Sequence, residues 1–419
     1  MRRFCTLFIL IIMTSLCACH TEAPQTTASV APFYTSTPEE ITPTAETTST
    51  IALTPTIMLT ATPTQTPTPI PTPVSAQELL KQMSVEEKVA QLFIVIPESL
   101  TSAKDSVTNV TQEIKDFLRH YPVGGVILFD ANIKTPQQLK ALTQDLRNTS
   151  KFPLLLAIDE EGGRVAKIAN NVNFDVPRYP FILELGQENN PLLARELGVN
   201  IGAYLKEYGF NYNFAPVADV LTNPENTVIG NRSFGSDPQM VAQMVTNTIT
   251  GLQEKGIGTC AKHFPGHGDT VSDTHKEGAI APKTWQEMLN CELIPFKAAI
   301  EQGVDSIMIG HMTTPNVTSD GLPSSLSYEI ITTRLRKELG FDGLVVTDAL
   351  NMGAITNYYS AKDAAIKALM AGCDILLMPE DFQEAYEGVL NAVRGGTITQ
   401  ARLDESILRI LTFKQKVVN

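Results

Sequence analysis

Residues 258–275, Gly-Thr-Cys-Ala-Lys-His-Phe-Pro-Gly-His-Gly-Asp-Thr-Val-Ser-Asp-Thr-His, join a short apolar run to a dense polar loop. The apolar run, residues 258–261, predicts a buried strand. The loop carries three of the six histidines of the chain, together with Lys262 and two aspartates, and its glycines and proline exclude regular structure. In α/β folds, a buried strand that ends in such a loop is where the chemistry lies.

Further apolar runs of strand length alternate with helical patterns along the chain. They are continuous in hydrophobicity, as expected for parallel strands that are buried on both faces. The predicted strands are residues 89–96, 123–129, 154–159, 211–219, 258–263, 306–311, 343–348 and 374–378. The first is ambiguous, because Ser84 and Glu87 form a capping box whose helix can run into it.

Several helix starts are readable between these strands. Thr135-Pro136 and Asp237-Pro238 each place proline at the first helical position, and Thr284 and Ser360 are N-caps with an acid in the first turn. About eight β-then-α units predict a (β/α)8 barrel of the TIM type, as a single catalytic domain. An open doubly wound sheet is the alternative, and the lack of a Gly-x-Gly-x-x-Gly motif after an early strand weakens it.

The first 75 residues are not expected to belong to the fold. Residues 1–19 are typical of a lipoprotein signal peptide, because Arg2 and Arg3 precede an apolar run too short to span a bilayer and Leu16-Cys17-Ala18-Cys19 resembles a lipoprotein cleavage box. We expect lipidation at Cys19 and an extracytoplasmic protein anchored to the cell membrane; an ordinary secretory signal is the alternative. Residues 20–75, rich in threonine and proline, predict a disordered linker, and residues 76–419 predict the catalytic domain.

Composition narrows the choice of partners. The net charge of −13, without a basic cluster, argues against nucleic acid. Cys260 and Cys373 fall in strand-like runs and Cys291 in a helical one, so we expect free, buried thiols and no disulfide framework. Nothing in the sequence indicates a cofactor or a metal, and we expect a monomer.

Five predicted strands end in polar residues, which a barrel would gather on one face. These ends are Asp159 with residues 160–164, Asp219 with the later residues 231–235, the loop at 262–275, His311, and Thr347-Asp348. Acids and a few bases in one cleft suit glycoside hydrolysis, in which a carboxylate captures a cation-like centre and an acid protonates the leaving oxygen. Asp348 is well placed as the nucleophile; a helix N-cap is its alternative role.

The body resembles the family 3 glycoside hydrolases, in their single-domain β-N-acetylglucosaminidase (β-N-acetylhexosaminidase) branch. The resemblance spans nearly all of residues 76–419. Its motifs are residues 83–88 (Met-Ser-Val-Glu-Glu-Lys), 123–129 (Val-Gly-Gly-Val-Ile-Leu-Phe), 159–165 (Asp-Glu-Glu-Gly-Gly-Arg-Val), the loop at 262–275, and 347–352 (Thr-Asp-Ala-Leu-Asn-Met). It implies a retaining exo-glycosidase that removes terminal β-linked N-acetylglucosamine from cell-wall-derived or chitin-like glycans.

The resemblance also implies the roles of individual residues. Asp348 would form the covalent glycosyl-enzyme, and His275, oriented by Asp273, would be the acid/base. The sugar-binding positions that it implies are Asp159, Arg232, Lys262 and His263. Independently of the resemblance, a histidine, with a pKa of about 6.5, must be held protonated to act as an acid, and a carboxylate two residues away favours that form.

Three positions depart from the family pattern. Thr274 stands where relatives have serine, and keeps the hydroxyl. Glu160 stands where they usually have glutamine. Lys167 replaces an arginine that some relatives have, so it is left out of the expected site.

Three other functions stay open at this point. A zinc hydrolase could use His263, His267, His275 and Asp269, but no His-Glu-x-x-His helix supports it and Lys262 would repel the ion. A β-glucosidase or xylosidase of the same family would usually take a glutamate acid/base from a second domain, which we expect this chain to lack. A catalytically inactive, lipid-anchored sugar-binding protein is opposed by the intact set of predicted catalytic groups.

Overall fold

Eight short parallel strands form a barrel in the computed structural model, which describes residues 74–270, 274 and 278–418. In chain order, strands β1 to β8 are Phe93–Val95, Gly125–Ile127, Leu155–Ile158, Tyr212–Asn213, Gly258–Phe264, Ser306–Ile309, Leu344–Thr347 and Leu376–Leu377. From β1 to β6, each strand pairs with the next strand in chain order. The ring closes because β8 pairs with β1 and because a parallel bridge joins Val346 of β7 to Ile375, the residue just before β8. The prediction of a (β/α)8 barrel is confirmed.

Helices surround the strands. Those of the described residues are α1 to α13: Ala76–Gln82, Val85–Gln91, Gln112–His120, Pro136–Thr149, Ile182–Gln187, Pro191–Glu207, Pro238–Glu254, Trp285–Leu289, Leu293–Gln302, Gly353–Thr356, Ala361–Ala371, Phe382–Arg394 and Gln400–Val417. A π-helix, Glu329–Glu338, follows β6, and single turns of 3₁₀ helix lie at Pro97–Leu100, Gly230–Arg232 and Ser324–Leu326. The four helix starts predicted from Thr135, Asp237, Thr284 and Ser360 are all present, each with its side chain accepting a backbone N–H of the first turn.

The ambiguity at the first strand is resolved in favour of the helix. Both hydrogen bonds of the capping box between Ser84 and Glu87 form, and α2 continues to Gln91, so β1 covers only part of the predicted residues 89–96. The apolar run was misleading there because a buried helix and a buried strand both give continuous hydrophobicity. Six of the other seven strands are also shorter than predicted, and β4 has only two residues; β5 is the exception and extends one residue further, to Phe264.

The amino-terminal end of the barrel is sealed by packing. The ring of Tyr212, at the start of β4, lies 5.0 Å from the ring of Phe413 on α13, and the Tyr212 hydroxyl lies 2.6 Å from Ser306 Oγ on β6. At the start of β5, a Cβ on Gly258 would come within 2.4 Å of the Phe413 ring, so only glycine lets α13 pack this closely. An open cleft is therefore left to the carboxyl end.

Several predictions fall outside the described residues: the signal peptide, lipidation at Cys19, and the linker up to residue 73. The last predicted linker residue, Ser75, belongs to the folded domain, because its side chain caps α1. Among the residues that the structure describes, no helix is long and apolar enough to cross a membrane. Cys260 and Cys373 are free and buried, as expected. Cys291 is free but only partly buried, because it lies in the short connection between α8 and α9 and not within a helix facing the core.

Candidate active site

A cleft of about 550 Å³ opens where the strands end. Its lining includes five of the seven residues predicted for the catalytic and sugar-binding site, namely Asp159, Arg232, Lys262, His263 and Asp348. These come from the ends of β3, β5 and β7 and from the 3₁₀ turn at Gly230–Arg232. The other two, Asp273 and His275, lie outside the described residues.

The segment after β3 reverses at once in a small hairpin. Residues Glu160–Gly162 pair antiparallel with Val165–Ala166, and the turn is made by Gly162 and Gly163, at φ angles of 94° and 58°. Only glycine adopts such angles without strain. Because side chains alternate along an extended chain, Asp159 and Glu161 face the cleft while the residue between them faces away.

Four charged side chains form one network on the cleft wall. Lys262 Nζ lies 2.5 Å from Asp159 Oδ1 and 2.7 Å from Glu161 Oε1, and Arg232 donates two hydrogen bonds to Glu161, from Nε at 2.9 Å and from Nη2 at 2.7 Å. Burial would raise the pKa of Glu161, but Arg232 and Lys262 together outweigh burial and hold it well below its ordinary value. Two cations and two carboxylates thus compensate one another, and the Asp159 side chain remains 21% exposed, within reach of a sugar hydroxyl.

The buried carboxylate of Asp219 holds the ring of His263, the residue that follows Lys262. Asp219 Oδ2 lies 2.7 Å from His263 Nδ1, and its Oδ1 accepts the backbone N–H of His267 at 2.7 Å. Burial raises the pKa of Asp219, but the interaction with His263 outweighs it and lowers the pKa overall. The ionised Asp219 therefore holds the His263 Nδ1–H form and leaves Nε2 on the side of Arg232, 3.5 Å away.

Asp348 follows β7 directly. Its backbone N–H donates to the carbonyl of Ile309 at 2.9 Å, and its Oδ1 accepts the Ala349 N–H at 2.8 Å. Burial raises the pKa of Asp348, but the imidazoles of His311 and His263 and the Ala349 N–H outweigh burial and lower it. The carboxylate is therefore ionised at neutral pH, as an attacking group must be.

The loop after β5 is anchored through His267, which is 2% exposed. His267 Nδ1 lies 2.6 Å from the Thr270 hydroxyl, and His267 Nε2 lies 3.2 Å from the Thr274 hydroxyl, so both ring nitrogens have a hydroxyl partner. Burial lowers the pKa of His267, in keeping with a neutral ring. The loop also lies against the segment after β4, where a Cβ on Gly268 would be 1.9 Å from the carbonyl oxygen of Val220.

Three residues of this region were not predicted as part of the site. Glu161 pairs with both cations, and Asp219 orients His263; each was visible only as an acid at a strand end. Lys167, which was left out, lines the cleft.

Of the four zinc ligands considered above, the structure describes His263, His267 and Asp269, and His275 lies outside the described residues. No group of three histidine, cysteine, aspartate or glutamate side chains among the described residues is arranged to hold a metal ion. His263 in particular has Nδ1 bonded to Asp219 and Nε2 beside the guanidinium of Arg232, and a neighbouring cation disfavours a bound metal.

Comparison with known proteins identifies the family of this chain. The sequence profile described as the glycosyl hydrolase family 3 N terminal domain matches residues 84–413. The chain therefore belongs to glycosyl hydrolase family 3, and it is a glycoside hydrolase. It is 38% identical over 286 residues to a β-hexosaminidase of Nitrosomonas eutropha, covering 67% of this chain and 80% of that protein.

Solved structures agree with this assignment. A family 3 β-N-acetylglucosaminidase of a Paenibacillus species superposes with a TM-score of 0.74 at 36% identity over 80% of this chain, and the chain spans 62% of that structure's length. The M tuberculosis protein LpqI superposes with a TM-score of 0.70 at 28% identity, over 81% of this chain and 96% of that one. The predicted class, a family 3 enzyme of the β-hexosaminidase kind, is confirmed by these relatives.

Proposed function

We propose that the protein is a retaining exo-glycosidase that removes terminal β-linked N-acetylglucosamine from cell-wall-derived or chitin-like glycans. The observation that carries the proposal is the position of an ionised Asp348 in one cleft with the network of Asp159, Glu161, Lys262 and Arg232. Donors and acceptors fixed in this way suit the hydroxyls of a terminal sugar, while a carboxylate near the anomeric carbon suits covalent catalysis.

In the proposed mechanism, Asp348 attacks the anomeric carbon and the bond to the leaving oxygen breaks. His275, oriented by Asp273, gives its proton to that oxygen. It then takes a proton from water, and the oxygen of that water displaces Asp348 with overall retention of configuration. The Lys262 ammonium and the Arg232 guanidinium stay charged throughout and hold the sugar.

Trapping tests the role of Asp348. A slow fluorinated N-acetylglucosaminide should leave an adduct on the peptide that contains Asp348, detected by mass spectrometry. Asp348→Asn should lower kcat at least about a thousandfold, or roughly 4 kcal/mol of barrier. An adduct on Asp159 or Glu161 would show that a different strand carries the nucleophile.

The role of His275 is tested by changing the leaving group. A sugar leaving group needs a proton, whereas an activated phenol departs as an anion. His275→Ala should therefore depress kcat/KM severely for a disaccharide and mildly for 4-nitrophenyl N-acetyl-β-glucosaminide. An equal loss for both substrates would assign proton donation to another group.

The same assay separates this proposal from the β-glucosidase alternative. Hydrolysis of 4-nitrophenyl N-acetyl-β-glucosaminide should exceed hydrolysis of the matching glucoside in kcat/KM. A preference for the glucoside would overturn the proposed substrate class, and hydrolysis of neither would favour the sugar-binding alternative.

We propose in addition that Cys19 is lipidated, and that residues 20–75 tether the catalytic domain to the outer face of the cell membrane. Cys19→Ser should move the protein from the membrane fraction to the soluble fraction, and removal of residues 1–75 should leave kcat/KM for small substrates unchanged. A protein that stays with the membrane after Cys19→Ser would refute lipid anchoring at that residue.

A further inference from the structure

Glu160 is a buried carboxylate for which the mechanism above has no use. It stands between Asp159 and Glu161, yet its side chain faces away from the cleft and is 0% exposed. No ion pair among the described residues includes it. Its own main chain is fixed from both sides by Asn213, whose Oδ1 accepts the Glu160 N–H at 3.0 Å and whose Nδ2 donates to the Glu160 carbonyl at 2.8 Å.

The carboxylate instead collects four hydrogen-bond donors. Its Oε2 accepts the backbone N–H groups of Lys167 at 2.6 Å and Ile168 at 3.0 Å, and its Oε1 accepts the N–H of Ala169 at 2.9 Å and the hydroxyl of Tyr204 at 2.9 Å. Three consecutive amides thus converge on one side chain. This geometry curls residues 167–169 around the Glu160 side chain.

Three of these four partners are backbone N–H groups, which can only donate, so both carboxylate oxygens must accept. A glutamine offers one acceptor oxygen, and its NH₂ group would face an N–H donor at the other position, so glutamine cannot accept all three amides. Burial raises the pKa of Glu160, and the hydrogen bonds from residues 167–169 and from Tyr204 oppose that rise.

The amides that Glu160 holds belong to a wall of the cleft. We define the wall segment as residues 165–169; Val165 and Lys167 from it line the cleft. The Lys167 side chain is 20% exposed, with Nζ 3.4 Å from Asp130 Oδ2. The direction in which Lys167 leaves the main chain is set by the amides of residues 167–169, and hence by Glu160.

We propose that Glu160 is a positioning residue: it fixes the wall segment and so sets the shape of the cleft for the sugar. The kinetic part of this inference rests on the proposed function. The structural part does not, and hydrogen exchange tests it without any substrate.

The first test is hydrogen–deuterium exchange of the full chain, followed by mass spectrometry. In Glu160→Gln, peptides that cover the wall segment should take up as many as three additional deuterons at early times, one for each amide now bonded to the carboxylate. Glu188→Gln makes the same change of charge at an exposed position and serves as the control. It should leave the deuterium uptake of those peptides unchanged. Unchanged exchange in Glu160→Gln, or faster exchange throughout the domain, would overturn the proposal.

The second test is steady-state kinetics with 4-nitrophenyl N-acetyl-β-glucosaminide. Glu160→Gln should raise KM about tenfold or more, equal to about 1.4 kcal/mol, with a smaller fall in kcat, because the wall segment binds substrate while Asp348 lies on another strand. Faster local exchange with unchanged KM and kcat would refute a role in positioning. Absence of activity in the wild-type enzyme would defeat the proposed function, and exchange alone would then decide whether Glu160 holds the segment.

A milder variant keeps the proposal testable if Glu160→Gln does not fold. Tyr204→Phe removes one neutral donor and leaves the three amides and the carboxylate in place. It should raise exchange in the same peptides by less than Glu160→Gln does, and raise KM in the same direction. No change in exchange would count against Glu160 as the anchor.

Discussion

Replacement of Lys414 by methionine should remove a rise of stability with pH that the buried lysine causes. Lys414 lies on α13, is 1% exposed, and donates to Gln91 Oε1 at 2.6 Å; no ion pair among the described residues includes it. Burial lowers its pKa from 10.5 to about 7. The fold therefore holds a lysine in an environment that favours the neutral amine.

The sign of the effect follows from proton binding. Below pH 7 Lys414 is protonated in both states, and the folded state bears the full cost of the buried charge. Between pH 7 and 10.5 the unfolded chain binds one more proton than the folded one, so stability rises with pH by up to about 1.4 kcal/mol per pH unit. The two pKa values differ enough for a total of roughly 5 kcal/mol.

Lys414→Met removes this dependence and leaves Gln91 Oε1 without its donor, at a cost of about 1–3 kcal/mol. The variant should thus be more stable than the wild type at pH 7, by about 2–4 kcal/mol, and less stable at pH 10. Urea denaturation followed by circular dichroism at pH 7, 8, 9 and 10 measures the difference. Lys297→Met, at an exposed position on α9 that forms no ion pair among the described residues, provides the correction for one lost lysine. A difference between Lys414→Met and wild type that stays constant with pH would refute the reasoning.

Two further predictions concern the candidate site. Thr274→Val removes the hydroxyl that is hydrogen-bonded to His267 Nε2 and should lower kcat/KM for a disaccharide about tenfold, whereas Thr274→Ser should retain activity; equal losses in both variants would refute the hydrogen bond as the cause. Asp219→Asn removes the ionised partner of His263 Nδ1, while its amide oxygen can still accept the two backbone N–H groups that now bond to Oδ1. It should therefore lower kcat/KM about a hundredfold and lower the free energy of unfolding by about 1–3 kcal/mol, measured by the same assay and by urea denaturation; wild-type stability with full activity would contradict this.

The order of strands and helices was largely readable from the sequence, since each buried parallel strand is a continuous apolar run. The limits of the elements were not, because pairing between neighbours decides where a strand begins. Only two residues of the predicted 211–219 strand form regular β4, although Val217 also bridges to Lys262 farther along. At residues 89–96, the capping box at Ser84 was the better guide.

The candidate site, too, could be predicted from the sequence only in part. The polar ends of the strands identified Asp159, Lys262 and Asp348, because a barrel brings its carboxyl ends together. That Glu161 binds Lys262, 101 positions away, is a fact of tertiary structure that no local pattern contains. Alternation along an extended chain predicts that the Glu160 side chain points away from the cleft. It does not predict the four donors that the side chain meets there.

The barrel closes late in the chain. The cations of the cleft come with the middle strands and the nucleophile comes with β7, but the ring is complete only when residues 374–377 bond to β7 on one side and to β1 on the other. Helix α13, whose Lys414 meets Gln91 across 323 positions, then closes the other end. The apolar strands of a nascent chain therefore cannot be fully covered until residues 374–417 have been synthesised, which leaves them exposed to aggregation during most of the synthesis of this domain.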